Sequence, residues 1–211
     1  HIVPGAVDLK PFLRKSRKHP LLAGIGGSLI VSAKPLHSTN AVGISYIIKA
    51  MAIVAKKHPK WRYAIVGDGQ SKPELQQLVD ELNLQKNVFL VGALPNSEVP
   101  RVYAAAEIVA HSFAFKATTS IALMESKAAG KAIVATDSGE VRPTVAGTAL
   151  LARQKDEKSI AAALLQFIED PALRERKGKA ARQRAVEEYA IEGVVDKFMQ
   201  IYKEVIEKDS Q

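Results

Sequence analysis

From Ser28 to Ala152, short uncharged apolar runs alternate with segments whose apolar positions fall three and four apart. Ser28-Leu29-Ile30-Val31-Ser32-Ala33 has the length and composition of a strand. Ile44, Ile47, Ile48 and Met51 follow at i, i+3, i+4 and i+7, one face of a helix. The pair then repeats. A strand from Arg62 to Val66 ends in Gly67-Asp68-Gly69, and Leu75, Leu78, Val79 and Leu82 mark a helix entered through Ser71 and Pro73. Further strands are predicted at Asn87 to Val91, Glu107 to His111, Ala132 to Thr136 and Thr148 to Ala152. Helices are predicted at Ser97 to Ala106 and Thr119 to Ala129, the latter stopped by Gly130. Beyond Asp156 only helical pattern remains: Ile160, Leu164, Phe167 and Ile168 share a face, Asp170-Pro171 restarts the chain, and a last segment carries Val195, Phe198, Tyr202 and Val205.

Strands that alternate with helices pair in parallel, because each crossover needs a helix, and strands apolar on both faces need cover on both sides. The predicted fold is α/β: a doubly wound, Rossmann-like parallel sheet of about six strands with a helical C-terminal tail. Ligands of such sheets bind outside the carboxyl ends of the strands, where the strand order switches. Functional residues are therefore expected in Lys34 to Thr39, Gly67 to Gly69, Gly92 to Leu94, Phe113 to Ile121 and Asp137 to Val141.

Composition narrows the class further. Of 211 residues, 47% are apolar and none is cysteine, which excludes a disordered chain and a disulfide scaffold. A chain of this length removes roughly 70% of its unfolded surface from water, enough for a sizeable core. The longest uncharged apolar stretch, Leu21 to Ala33, is interrupted by glycines and too short to span a bilayer. With no secretory signal pattern and no cysteine, a cytoplasmic location is expected. The chain starts at His1 rather than Met, which reads as a piece of a longer protein. Its net charge is +8, with basic clusters in Lys10–Lys18 and Arg174–Arg184. Nucleic-acid binding would add interleaved aromatics, which are only 6% here and scattered, so no specific nucleic acid is expected; a solvated face is the plain reading of the surplus and an anionic small molecule the alternative.

Several residues could carry chemistry. Gly67-Asp68-Gly69 suits a tight turn beneath a ligand, but the third glycine of a dinucleotide fingerprint would fall at Lys72, so this is no Rossmann NAD motif. Lys34, at the end of the first strand, can pair with a phosphate as a point charge; the plain alternative is a surface lysine. Phe115 to Ile121 leads into a helix whose first N–H groups suit an anion, though Thr118, Thr119 or Ser120 can equally serve as an N-cap. Glu125, one turn into that helix, can accept two ribose hydroxyls or be a surface glutamate. His1, His19, His37, His58 and His111 show no metal-ligand spacing, and neither a metal nor an organic cofactor is expected.

Taken in order, these pieces resemble the C-terminal, donor-binding domain of the family 4 (group 1) retaining glycosyltransferases of the GT-B fold, over nearly the whole chain. Val3-Pro4, Val7-Asp8 and Phe12 are similar to the connector leaving that family's N-terminal domain. Ile65-Val66-Gly67-Asp68-Gly69 is similar to its second strand and turn, and Val88-Phe89-Leu90-Val91-Gly92 with Tyr103-Ala104-Ala105-Ala106 to its third strand and next helix. Glu125, Ala128, Gly130 and Ile133-Val134-Ala135-Thr136-Asp137 resemble its Glu-Ala-Met-Ala-x-Gly-x-Pro-Val-Val-Ala-Thr block, and Asp170 to Arg174 its tail helix.

The resemblance implies a nucleotide-diphosphate sugar held by residues 21–211, with 1–20 a connector from a missing N-terminal domain that binds the acceptor. It implies transfer with retention, a diphosphate stabilised by an Arg and a Lys five residues later, and two glutamates eight residues apart on sugar and ribose. On this sequence those roles fall to Lys34 as the catalytic cation, and to Gly67, Gly69, Gly92, Ser120, Ile121 and Glu125 as donor-binding residues. Membrane-surface association of the parent through lipid acceptors belongs to the same expectation. The sequence departs from the pattern at several places, among them Gly139-Glu140-Val141-Arg142-Pro143 in place of the family's Gly-Gly-x-Pro-Glu. Lys34 replaces the Arg and loses its bidentate fork, Thr39 carries no charge, and Ala117 stands where the sugar-contacting glutamate would be. The loop through Asn40 to Gly43 reads as lengthened. A degenerate GT-B domain used for binding or assembly, and half of a sugar-nucleotide epimerase, are the alternatives.

Overall fold

The computed structural model describes residues 7–13, 16–115, 120–139 and 141–209. Six strands, β1 (Ser28–Ala33), β2 (Trp61–Val66), β3 (Val88–Gly92), β4 (Ile108–His111), β5 (Ala132–Thr136) and β6 (Ala149–Ala152), form one all-parallel sheet in the order β3-β2-β1-β4-β5-β6. The chain winds outward from β1 to β3, then returns to add β4 on the other side. The switch point thus lies between the carboxyl ends of β1 and β4, next to Lys34 and His111. This is the doubly wound sheet that the alternation predicts.

The helices are α1 (Lys10–Leu13), α2 (Pro20–Ile25), α3 (Ser38–Lys57), α4 (Lys72–Glu81), α5 (Val99–Ala105), α6 (Ile121–Ala128), α7 (Val141–Val145), α8 (Glu157–Glu169), α9 (Pro171–Tyr189) and α10 (Ile191–Asp209). Alternate side chains of each strand go to opposite layers. Ile30, Tyr63, Ile65, Ile108 and Val134 pack with Ile44, Ile48 and Met51 of α3, Val79 of α4 and Leu164 and Phe167 of α8. Leu29, Val31, Ala64 and Val109 pack on the other side with Leu22, Val102, Tyr103 and Met124. Ile133 and Ala135 meet Leu123, Val145 and Ala181 in a smaller cluster. Each fully buried Leu, Ile, Phe or Met contributes roughly 1.5–3 kcal/mol, so this two-sided burial is what fixes the sheet.

Two local expectations change. Asn40 to Gly43 is not a loop: α3 begins at Ser38 and runs 20 residues. Ser38, Thr39, Asn40 and Gly43 are poor helix formers, which is why the pattern reads as irregular. Tertiary contact overrides that preference. The Asn40 amide donates to Pro35 O at 2.9 Å, and a Cβ on Gly43 would come within 2.5 Å of Ser112 O, so α3 lies directly against the end of β4. By length and composition α3 could also cross a membrane, unlike Leu21 to Ala33. Its apolar residues, including Ile44, Ile47, Ile48, Met51 and Val54, are instead spent on the core. The second change is α7, five residues around Pro143, too short to show a period.

Of the 1–20 segment, Val7, Leu9 and Phe12 are buried in the layer of α5 and α9, and Val7 N donates to Tyr189 O at 3.0 Å. At the other end, the predicted tail helix is present as α10, but Val195, Phe198 and Tyr202 are about half exposed, at 50%, 44% and 60%.

Candidate functional site

Past the carboxyl ends of β1, β2 and β3 lies a cavity of about 380 Å³, lined by Ala33, Lys34, Pro35, Val66, Gly67, Asp68, Ala93, Leu94, Asn96, Val99, Tyr103, Ile121 and Glu125. Its size and its mixture of apolar wall with a few polar groups are those of a small-molecule site. Among the described residues its lining carries the Lys34 ammonium, the Asp68 carboxylate, which Lys72 pairs, and the Glu125 carboxylate, which no donor reaches.

Lys34 leaves β1 with its N–H donating to Val66 O at 3.0 Å. Its ammonium donates to Ser112 O at 3.2 Å and lies 4.8 Å from the centre of the Phe113 ring. It is no surface lysine. Burial pushes its pKa down to about 8, because a carbonyl and a ring replace water without supplying a counter-charge. Beneath it, His111 is buried, shares a 3.0 Å hydrogen bond with Ser126 Oγ, and is driven down to about 3 by burial and by the Lys34 charge, so it stays neutral. Phe113 is held in turn: its N–H donates to Thr136 Oγ1 at 2.6 Å, and its carbonyl accepts from Gln154 Nε2 at 2.8 Å.

The glycines work chiefly through the backbone. A Cβ on Gly67 would sit 2.0 Å from Lys34 O, and one on Gly69 2.6 Å from Leu36 O. These approaches lace the Lys34–Leu36 strand exit to the β2 exit, helped by Leu36 N donating to Asp68 O at 2.9 Å. Gly67 lines the cavity; Gly69 and Gly92 do not. Gly92 sits under the same turn, its carbonyl accepting from Gly67 N at 2.8 Å. Lys72, which replaces a fingerprint glycine, pairs with Asp68 at 2.8 Å and holds that carboxyl below its usual range.

On the opposite wall, Ser120 precedes α6 as its N-cap in extended conformation, without a side-chain cap hydrogen bond, and is not part of the lining. Ile121, 65% exposed, and Glu125 do line the cavity. Among the described residues no donor reaches the Glu125 carboxylate, and partial burial raises its pKa. Tyr103, buried beside it, donates to Ala122 O at 3.2 Å and is pushed up by burial and by the Glu125 charge. Ala117, Thr118 and Thr119 lie outside the described residues, as does Lys116. Thr39 lies in the first turn of α3, outside the lining. Sequence reasoning missed Asn96, Val99 and Tyr103, which form the wall after β3; the Pro95-Asn96-Ser97 turn was the available signal. Among the described residues no cluster of three metal-ligating side chains is present.

The cation gives a testable pH dependence. An anion that depends on the charged Lys34 should keep its affinity from neutral pH up to about 8 and lose it above, as the free protein's ammonium deprotonates. The full loss should approach one charge-assisted contact, roughly 10- to 150-fold. Titration calorimetry across this range checks it, and Lys34→Met should flatten the upper limb.

Fold and site together define a Rossmann-like α/β domain with a ligand cavity at the ends of its strands. The chain belongs to the group 1 glycosyl transferases: the model of that family matches residues 33–184. Among curated proteins it is 24% identical over 165 residues to alpha-D-kanosaminyltransferase of Streptomyces kanamyceticus, covering 77% of this chain and 42% of that protein. It is 27% identical over 215 residues to the D-inositol 3-phosphate glycosyltransferase of Corynebacterium urealyticum, covering 96% of this chain and 50% of that one. The chain thus spans about half or less of these relatives' length. Among solved structures, the C-terminal domain of the group 1 glycosyl transferase LpcC from Francisella tularensis superposes with a TM-score of 0.77 at 24% identity, over 88% of this chain and all of that one. Anabaena HepE in complex with UDP superposes with a TM-score of 0.83 at 18% identity, over 97% of this chain and 57% of that chain. The fold is therefore that of a GT-B C-terminal domain.

Proposed function

We propose that this chain is the donor half of a family 4 retaining glycosyltransferase and binds a nucleotide-diphosphate sugar in the cavity between Lys34 and Glu125. The observation that carries the reading is the presence, in one cavity at the strand ends, of a desolvated ammonium and a carboxylate that has no partner among the described residues. A ribose presents two hydroxyl donors, which the Glu125 carboxylate can accept. A diphosphate presents the negative charge that Lys34 lacks. The N–H groups at the start of α6, around Ser120 and Ile121, add the positive end of a helix to the same cavity. During transfer, charge grows on the departing diphosphate, and a fixed cation in a dry site stabilises it without reorganisation. Metal-free chemistry is part of this reading. So are an acceptor bound by a separate N-terminal domain, a cytoplasmic site of action and acceptors at the membrane surface.

Calorimetric titration with a panel of nucleoside diphosphates and their sugars tests the reading. One nucleobase should bind clearly better than the rest, and its diphosphate better than its nucleoside. No binding across the panel would overturn it. On this reading these 211 residues by themselves should transfer no sugar, because the acceptor would be bound by a separate N-terminal domain. The uncharged Thr39 favours a second reading, a domain that binds donor without turnover; a parent protein that binds the donor yet forms no product would select it.

A further inference from the structure

A second cavity, of about 280 Å³, lies at the opposite end of the sheet, near the amino ends of β4 and β5. It is lined by Phe12, Ser16, Pro100, Ala104, Ala129, Lys131 and Arg182. No carboxylate belongs to this lining, whereas two cations do. Lys131 reaches inward to donate to Ala106 O at 2.8 Å and, more weakly, to Ala104 O at 3.5 Å, at the carbonyl end of α5. Those carbonyls use part of its donor capacity and supply no counter-charge. Arg182 donates to Leu13 O, and its stem passes over Gly130, whose Cβ position lies 3.4 Å from Arg182 Cδ. The guanidinium is thereby fixed between α1 and the end of α6 with further N–H groups to offer. Burial depresses the Lys131 pKa; the Glu107 charge acts in the other direction, and Lys18, a third positive charge nearby, adds a smaller depression. Glu107 is also engaged by Arg174 at 3.5 Å. Phe12 and Ser16, from the segment that also carries Lys18, line this cavity and not the strand-end one.

We propose that this cavity binds a phosphate group, with Lys131 and Arg182 as its cations and Ser16 as a neutral hydroxyl partner. Free phosphate esters and the headgroup of an anionic lipid share this chemistry. The inference does not rest on the donor reading, because the two cavities share no residue.

The test uses the Lys34→Ala chain, in which the strand-end cation is gone, titrated with inorganic phosphate, and in parallel sedimented with vesicles of phosphatidylglycerol or of phosphatidylcholine. Phosphate affinity, or retention on the anionic vesicles alone, should fall about tenfold or more on adding Arg182→Gln. Arg182→Lys should recover part of the loss. Lys131→Met should act in the same direction, and thermal unfolding shows whether its lost hydrogen bond at α5 has cost the fold. Loss of phosphate titration identifies a soluble ester as the source, and loss of vesicle retention identifies a lipid. A folded Arg182→Gln chain with unchanged binding in both assays, or a starting chain that binds neither probe, would overturn the proposal.

Discussion

Glu125→Ala is expected to weaken a nucleoside and its diphosphate alike, by about 10- to 150-fold, the worth of a carboxylate accepting charge-assisted hydrogen bonds. Equal loss for both ligands is the informative part, since the ribose is common to them. Lys34→Ala should instead weaken the diphosphate and leave the nucleoside nearly unchanged. The chain should stay folded in the Glu125 variant. Its carboxylate has no partner among the described residues and is held at some desolvation cost, so removing it relieves a penalty. Paired calorimetry of nucleoside and diphosphate on wild type and both variants checks the pattern. Unchanged nucleoside affinity in a folded Glu125→Ala chain would remove the ribose assignment.

Gly67→Ala should damage stability and site together. Its backbone at φ 151° is one that side chains rarely adopt, which costs on the order of 1–3 kcal/mol. The new Cβ would also meet Lys34 O at 2.0 Å, a backbone atom that cannot rotate away. Either the β1 exit moves, taking Lys34 with it, or the β2 exit does. For a chain of this size each kcal/mol lowers Tm by about 2–4 °C, so a fall of several degrees is expected with weakened diphosphate binding. Gly193→Ala, in α10 with open space around its Cβ position, is the control and should be neutral or slightly stabilising. A Gly67→Ala chain as stable as wild type would show that the two strand exits are not laced as described.

The sheet was legible because its signal is local. Six apolar runs separated by helical periods dictate parallel pairing, and alternation along β1 already assigns Ile30 to one layer and Leu29 and Val31 to the other. The start of α3 was not legible, because Gly43 makes sense only once Ser112 is known to lie against it. Lys34 shows the same limit. Its place after a strand is local information, whereas its depressed pKa comes from burial among groups such as Ser112 and Phe113, nearly eighty residues further along. The glycines were singled out as a turn beneath a ligand. In the structure Gly69 and Gly92 belong to that turn without lining the cavity, and they close the backbone around the strand exits. The wall formed by Asn96, Val99 and Tyr103 was not legible because the charged residues of that segment, Glu98 and Arg101, pair with each other, and the three that line the cavity carry no charge.

A nucleoside diphosphate should sit in the strand-end cavity. Amide chemical shifts of the isotopically labelled chain, followed during titration with UDP and with the diphosphate that binds best, locate it directly. The expected changes cluster at Lys34, Gly67, Asp68, Ile121 and Glu125, around the strand-end cavity. Changes confined to the groove of about 410 Å³ along edge strand β3, at Gln85, Phe89 and Leu90, would contradict it, as would none at all.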